Sequence, residues 1–274
     1  MTIAPAVKHR PQATLTVLRT HWLGDHMVRV IAGGAGFSDF TPNNSTDMYV
    51  KLHFLQPGVD YPEPVDVFAL RDTLPREQWP STRTYTVRWV NPVAQELAID
   101  FVVHGDEGLA GPWAAAAQPG DRLIVSGPGG GYTPTPDADW YLYAGDEAAL
   151  PAIAAAMEAL PEGAVGHAFL EVDAEADIQE IAAPRGMELV WLLREGEPAG
   201  TSALLTDAVA AATWREGTVD VFAHGEREYM KALRKIFFAG QGLERSQVSL
   251  SGYWARGRNE DGFQAEKKLP IGKI

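Results

Sequence analysis

The chain of 274 residues contains no cysteine. That excludes disulfides, thiolate-bound iron–sulfur clusters and cysteine-ligated zinc. The histidines, His9, His21, His26, His53, His104, His167 and His224, are scattered, with no His-x-x-x-His pair. No metal held by protein side chains is expected. No apolar run approaches the ~18 residues of a membrane-crossing helix, so no membrane span is expected. The start, Met1 to Gln12, is polar, contains prolines and lacks a signal-peptide apolar run, which reads as a cytoplasmic protein. The Gly-x-Gly-x-x-Gly dinucleotide fingerprint is also missing.

Positive charge is in short supply. The 23 Lys and Arg against 36 Asp and Glu leave a net charge of −13, which argues against a nucleic-acid binder. The distribution is uneven. Residues 1–136 carry 10 basic and 13 acidic side chains, residues 137–225 carry 3 and 17, and residues 226–274 carry 10 and 6. The basic end reads either as a solvated face or as one wall of a site for an anionic ligand.

What is present divides the chain in two. Six short runs rich in Val, Leu, Ile, Tyr and Thr (13–18, 27–31, 49–55, 83–90, 96–103 and 121–126) are separated by Gly, Pro, Asn and Asp, and predict a small antiparallel β-barrel. A short helix is expected over 112–117. A proline-punctuated connector, Tyr132 to Asp137, follows. Beyond it strands are expected at 140–143, 167–172, 189–193, 219–223 and 248–253. Helices are expected from Asp146, as cap, to Leu160, then over 202–214 and 226–239. This alternation predicts a doubly wound parallel sheet. The expected domains are 1–133 and 134–274.

The segment Arg83-Thr84-Tyr85-Thr86-Val87-Arg88 carries the most chemistry. Strand alternation places Arg83, Tyr85 and Val87 on one face and Thr84, Thr86 and Arg88 on the other. Such a strand suits a flavin: the tyrosine along the isoalloxazine, hydroxyls and amides on its polar rim, and an arginine on the pyrophosphate. A polar edge strand of a barrel is the alternative reading of the six residues alone.

Barrel first, α/β domain second and a flavin-type strand in the barrel is the ferredoxin–NADP reductase order. Further motifs recur in sequence: Asp100-Phe101-Val102-Val103-His104-Gly105, Gly111-Pro112-Trp113-Ala114, Ser126 to Gly131, Trp140 to Glu147, and Gly252 to Glu260. From about residue 13 to 268 the chain resembles the siderophore-interacting protein family of FAD-dependent ferric-siderophore reductases. The resemblance implies an FAD-binding β-barrel followed by an NAD(P)H-binding-like α/β domain. It implies FAD contacts from Arg83, Thr84, Tyr85, Thr86, Val102 and His104, and from Gly111, Pro112, Trp113 and Ala114 at a helix start facing the pyrophosphate. Gly145, Asp146 and Glu147 would lie where the reductant approaches. NADH, NADPH and ferredoxin all stay open as donors. The family usually has Thr at Ala148 and Arg at Gly129.

The substrate implied is a ferric siderophore, anionic or of hydroxamate type, in a site made basic by Lys51, Arg256, Arg258 and Lys267. The chemistry would be electron transfer from FAD to Fe(III), with release of Fe(II). No general base or covalent nucleophile is expected, and Ser126 and Ser251 show no legible His–Asp partners. Trp254 would flank the flavin or substrate, or close the domain interface. Two other functions remain open: an NAD(P)H:flavin or electron-transfer reductase of the same architecture, and a non-enzymatic ferric-siderophore carrier.

Overall fold

Six strands close into an antiparallel barrel: β1 (Gln12–Trp22), β2 (Met27–Gly33), β3 (Tyr49–Phe54), β4 (Ser81–Asn91), β5 (Glu96–Val102) and β6 (Arg122–Gly129). Their order around the barrel is β1-β2-β5-β4-β3-β6. The structure is a computed structural model and describes residues 10–105 and 108–274; the polar start of the chain up to residue 9 lies outside the described residues. Two short helices sit in the connections, α1 (Leu70–Thr73) and α2 (Ala110–Ala116).

The barrel core follows from alternation. In β1, Ala13, Leu15 and Val17 point inward while Thr14 and Thr16 point out. They meet Val28, Val30, Leu97, Ile99 and Phe101 in one apolar cluster. Each such side chain contributes roughly 1.5–3 kcal/mol on full burial.

The second half is a parallel sheet: β7 (Trp140–Gly145), β8 (Val165–Val172), β9 (Gly186–Leu193), β10 (Val219–Glu226) and β11 (Val248–Trp254). The order is β11-β10-β7-β8-β9. Strands are added from β7 in one direction through β8 and β9, and in the other through β10 and β11. The switch point, where such sheets bind ligands beyond the strand C-termini, therefore lies between β7 and β10. Both of these strands are buried along their whole length, as central parallel strands covered on both faces must be. The helices are α3 (Leu150–Glu158), α4 (Leu204–Ala211), α5 (Arg227–Arg234) and α6 (Glu260–Glu266). After α5 the chain widens into a π turn over Lys235–Gly240.

Two local expectations change. The first helix of this half begins at Leu150, not directly after Asp146. The Asp146 carboxylate accepts the Ala148 amide at 3.0 Å and its carbonyl accepts the Ala149 and Leu150 amides, so it caps the turn that leads into this helix. In β4 the register slips between Val87 and Trp89, so strict alternation ends there. Arg88 is consequently committed across the domain boundary to Glu158 of α3, with Nη1 2.7 Å from Oε2. It is not on offer to a pyrophosphate.

A second contact joins the halves. Asp177, after β8, accepts both the Asp25 and His26 amides at 2.9 Å and the His26 ring Nδ1 at 2.8 Å.

Candidate functional site between barrel and sheet

The junction of the two halves encloses a cavity of about 490 Å³. Its barrel wall is Tyr49 and Lys51 of β3 and the run Arg83–Thr86 of β4, extended by Asp100, Val102 and His104. The facing wall is the C-terminal edge of the parallel sheet: Asp146 and Glu147 after β7, and Ser251–Trp254 of β11. Helix α6 closes one side with Glu260, Gln264 and Lys267. Antiparallel pairing of β3 and β4 sets Lys51 directly opposite Thr84, which is why residues 33 positions apart share this wall.

Along β4 each side chain has a distinct environment. The Tyr85 ring lies 4.4 Å from that of Phe101 with a 33° tilt, anchored to the barrel core. Burial pushes its phenol above the ordinary value, so it is neutral at all working pH values. Arg83 donates to the neighbouring Thr82 carbonyl at 2.8 Å and has no ion-pair partner among the described residues. Thr86 and Tyr253 both line the cavity. Thr84 takes the Lys51 ammonium and donates at 2.7 Å to Glu260 of α6.

The sheet edge is unusually acidic and closely knit. Asp146 Oδ2 receives the Trp254 indole and the Glu226 amide, each at 2.8 Å. Burial pushes this carboxyl up to about 7 against those two bonds, and the nearby Glu147 and Glu171 add to the effect. Glu147 pairs with the buried Arg194 at 3.1 Å, and Arg194 also reaches Glu171 at 3.8 Å. Glu226 folds its carboxylate onto the first amides of α5, taking Glu228 and, at 3.2 Å, Tyr229. The N-terminus of α5 is thus satisfied by the chain itself.

The residues singled out in the sequence separate into two groups. Arg83, Thr84, Tyr85, Thr86, Val102, His104, Asp146, Glu147, Lys51 and Lys267 all line the cavity. The others do not. Gly111 is packed so closely beneath β5 that a Cβ there would stand 2.9 Å from the Val102 carbonyl oxygen, and Ala114 is buried. Pro112 lies in the same helix, and Trp113 packs in the barrel against Phe54 and Phe101. Gly145 is wedged between the His224 carbonyl and α3. Arg258 is tied to Glu266 of α6, and Arg256 lines a separate shallow cleft beside Glu226 and Gly200.

The expectation of a basic site is corrected by the lining itself. Lys51, Arg83 and Lys267 are matched by Asp100, Asp146, Glu147 and Glu260. Arg29 offsets Asp100 at 2.6 Å and Arg194 offsets Glu147, which leaves the cavity near neutrality. Of the basic residues in 226–274 only Lys267 lines this cavity, while Arg227 and Lys231 pair with Glu266 and Glu228 away from it.

Sequence reasoning missed Glu260, Gln264, Tyr49 and Tyr253 in the lining. It also missed a buried Ser–His contact: His53 Nε2 lies 2.8 Å from Ser126 Oγ. Burial, helped by Arg71 and Lys51, pushes this imidazole down to about 4. With Thr82 on its other nitrogen at 3.3 Å, the pair braces β3 against β6. His26, Asp173 and Asp177 bring potential ligand atoms within 4.8 Å of one another. The Asp177 oxygens are already taken by N–H donors, so the cluster acts as the clasp described above.

The FAD implied by the strand motif fits these residues. A flavin needs a flat apolar wall with polar groups at its rim, and Tyr85 flanked by the Thr84 and Thr86 hydroxyls supplies one. Arg83, a cavity-lining cation without an anionic partner, suits a pyrophosphate.

Comparison with known proteins agrees with this geometry. Residues 16–132 match the siderophore-interacting FAD-binding domain, and residues 138–257 match the siderophore-interacting protein family. The ferric vibriobactin reductase ViuB of Vibrio cholerae is 33% identical over 257 residues, covering 93% of each chain. The NADPH-dependent ferric-chelate reductase of Escherichia coli is 32% identical, over 88% of this chain and 91% of that one. The crystal structure of a siderophore utilization protein from T. fusca superposes with a TM-score of 0.78 at 36% identity, covering 92% of this chain and 96% of that one. The chain belongs to the siderophore-interacting protein family, an oxidoreductase family with an FAD-binding barrel.

Proposed function

We propose that the chain is a cytoplasmic, FAD-dependent ferric-siderophore reductase, with FAD along β4, the ferric complex in the cavity beneath α6, and NADH, NADPH or ferredoxin as donor. The observation that carries this reading is the convergence of Arg83–Thr86 and the C-terminal edge of the parallel sheet on one cavity. Bound FAD supplies the redox chemistry, taking electrons from the donor and passing them singly to Fe(III).

The chain's own residues bind and orient. Arg83 holds the pyrophosphate, Tyr85 provides the flat wall, and the Thr84 and Thr86 hydroxyls bond the polar rim. Val102 and His104 border the same wall, and Gly111–Ala114 supports it by packing behind β5. Gly145, Asp146 and Glu147 shape the edge at which the donor approaches. Lys51 and Lys267 face the ferric complex. Reduced iron binds hard oxygen donors far less well than Fe(III), so the product leaves without acid–base help from a side chain. Ser126, locked to His53, is unavailable as a nucleophile.

The reading is tested by titrating the purified protein with FAD and following flavin fluorescence. Stoichiometric binding that quenches emission is expected. Absence of binding, in protein whose circular dichroism shows it folded, contradicts the reading.

A further inference from the structure

Glu260 is the acid that most directly opposes the cations of the cavity. It opens α6, whose N-terminus is capped by Asn259 Oδ1 on the Gly262 amide at 2.8 Å. Its Oε1 receives the Thr84 hydroxyl at 2.7 Å and Gln264 Nε2 at 3.0 Å, and stands 3.7 Å from the Lys51 ammonium. The helix is not a loose end. Phe263 is buried, Glu266 pairs with Arg227 and Arg258, and Lys231 holds the Ile271 carbonyl at 2.7 Å. Glu260 is therefore held where it opposes Lys51, one of the two barrel cations, with Arg83, that line this cavity.

The consequence is electrostatic. Arg29 and Arg194 offset two of the four lining carboxylates, so Glu260 and Asp146 stand against Lys51, Arg83 and Lys267. An FAD pyrophosphate engages Arg83 and brings negative charge of its own. A polyanionic ligand entering this space would meet little net attraction, and charge mismatch in a part-buried site is costly.

We infer that Glu260 determines the charge of the ferric complex the cavity accepts, cancelling the pull of Lys51 on polyanions and favouring complexes of neutral or positive charge, such as ferric hydroxamates. This rests on the siderophore reading above. Removing the carboxylate charge while keeping its hydrogen bonds, as in Glu260→Gln, frees Lys51 to attract anions.

The test is equilibrium binding to the oxidised, FAD-loaded protein without donor, read from tryptophan fluorescence quenching. The probes are ferrioxamine B, a cationic tris-hydroxamate, and ferric enterobactin, a trianionic tris-catecholate. The wild-type chain should favour ferrioxamine B. Glu260→Gln should tighten ferric enterobactin about tenfold and leave ferrioxamine B within about twofold. Lys51→Gln should move the ratio the opposite way, which keeps the test decisive if one variant folds poorly. An unchanged ratio in both variants, or a wild-type preference for ferric enterobactin, overturns the role of Glu260 and leaves the reductase reading standing. Failure of both complexes to bind the wild-type chain overturns the siderophore reading and this inference with it.

Discussion

The Trp254 indole and the Glu226 backbone amide donate to the same oxygen, Asp146 Oδ2, each over 2.8 Å. One carboxylate thereby links the ends of β7, β10 and β11 at the switch point of the sheet. It also fixes an aromatic ring in the cavity wall. Asp146 works through Trp254 and the β10–α5 turn and is a positioning residue.

Replacing Asp146 with Ala leaves the buried Glu226 amide and the part-buried Trp254 indole N–H without their acceptor. A loss of about 1–3 kcal/mol in unfolding free energy is expected, the cost of one orphaned buried donor. Chemical denaturation checks this, and a red-shifted tryptophan emission would report the freed ring. The pH dependence has a definite sign. Because the folded carboxyl is raised to about 7, above its unfolded value, its stabilising contribution is complete below about pH 4 and is lost as pH rises through about 7. The difference between wild type and Asp146→Asn should therefore vary with pH across that interval; a flat difference contradicts the assignment.

Acid should act on two buried histidines, His53 in the barrel and His224 in the sheet, in the opposite sense. Burial pushes His53 down to about 4, and His224, with Lys267 adding to burial, down to about 3. Groups lowered in this way bind fewer protons folded than unfolded, so stability is complete above about pH 6.5 and declines as pH falls toward 4. For His53 the decline amounts to about 3 kcal/mol. Melting temperatures measured between pH 4 and 7 should show a shallower slope in His53→Gln than in wild type.

The clasp between the halves should be strongest in mildly acidic solution. The bond to Asp177 raises His26, while the bonds that Asp177 receives from His26 and the Ala174 amide outweigh burial and lower its own value. The His26 contribution is present below about pH 6.5 and fades as pH rises through its raised value. The Asp177 contribution is present above about pH 4 and fades as pH falls. Hydrogen exchange at the Asp25 and His26 amides should be slowest between these limits. Asp177→Asn should abolish that minimum.

Loss of the flavin wall should appear as loss of flavin. Arg83→Ala is expected to weaken FAD binding by about 10- to 100-fold, the effect of removing one charge-assisted bond to a phosphate. Tyr85→Ala should do likewise by opening the wall against Phe101. Full flavin retention by both variants contradicts the placement of FAD on β4.

Much of this was legible in the chain because it depends on local pattern. Alternation in 13–18 and the apolar runs at 140–143 and 219–223 foretold strands of the right kind, and Arg83–Thr86 marked the cavity wall. What was not legible depends on partners distant in sequence. Arg88 reads like Arg83 until a register slip and Glu158, 70 residues away, commit it elsewhere. Ser126 and His53 meet only because β3 pairs with β6. Residues 226–274 read as a basic end because charge counts ignore where each side chain is placed. Folded, their last part forms α6, which pairs Glu266 with Arg227 and Arg258 and turns an acid, Glu260, toward the cavity.

The most direct test of the central claim is an anaerobic visible spectrum of the FAD-loaded protein, recorded as NADH, NADPH or reduced ferredoxin is added and then a ferric siderophore with a ferrous trap. The account expects flavin bands that bleach with one of these donors and return as trapped Fe(II) accumulates. Flavin bands that bleach and stay bleached while the ferric complex is untouched would contradict it.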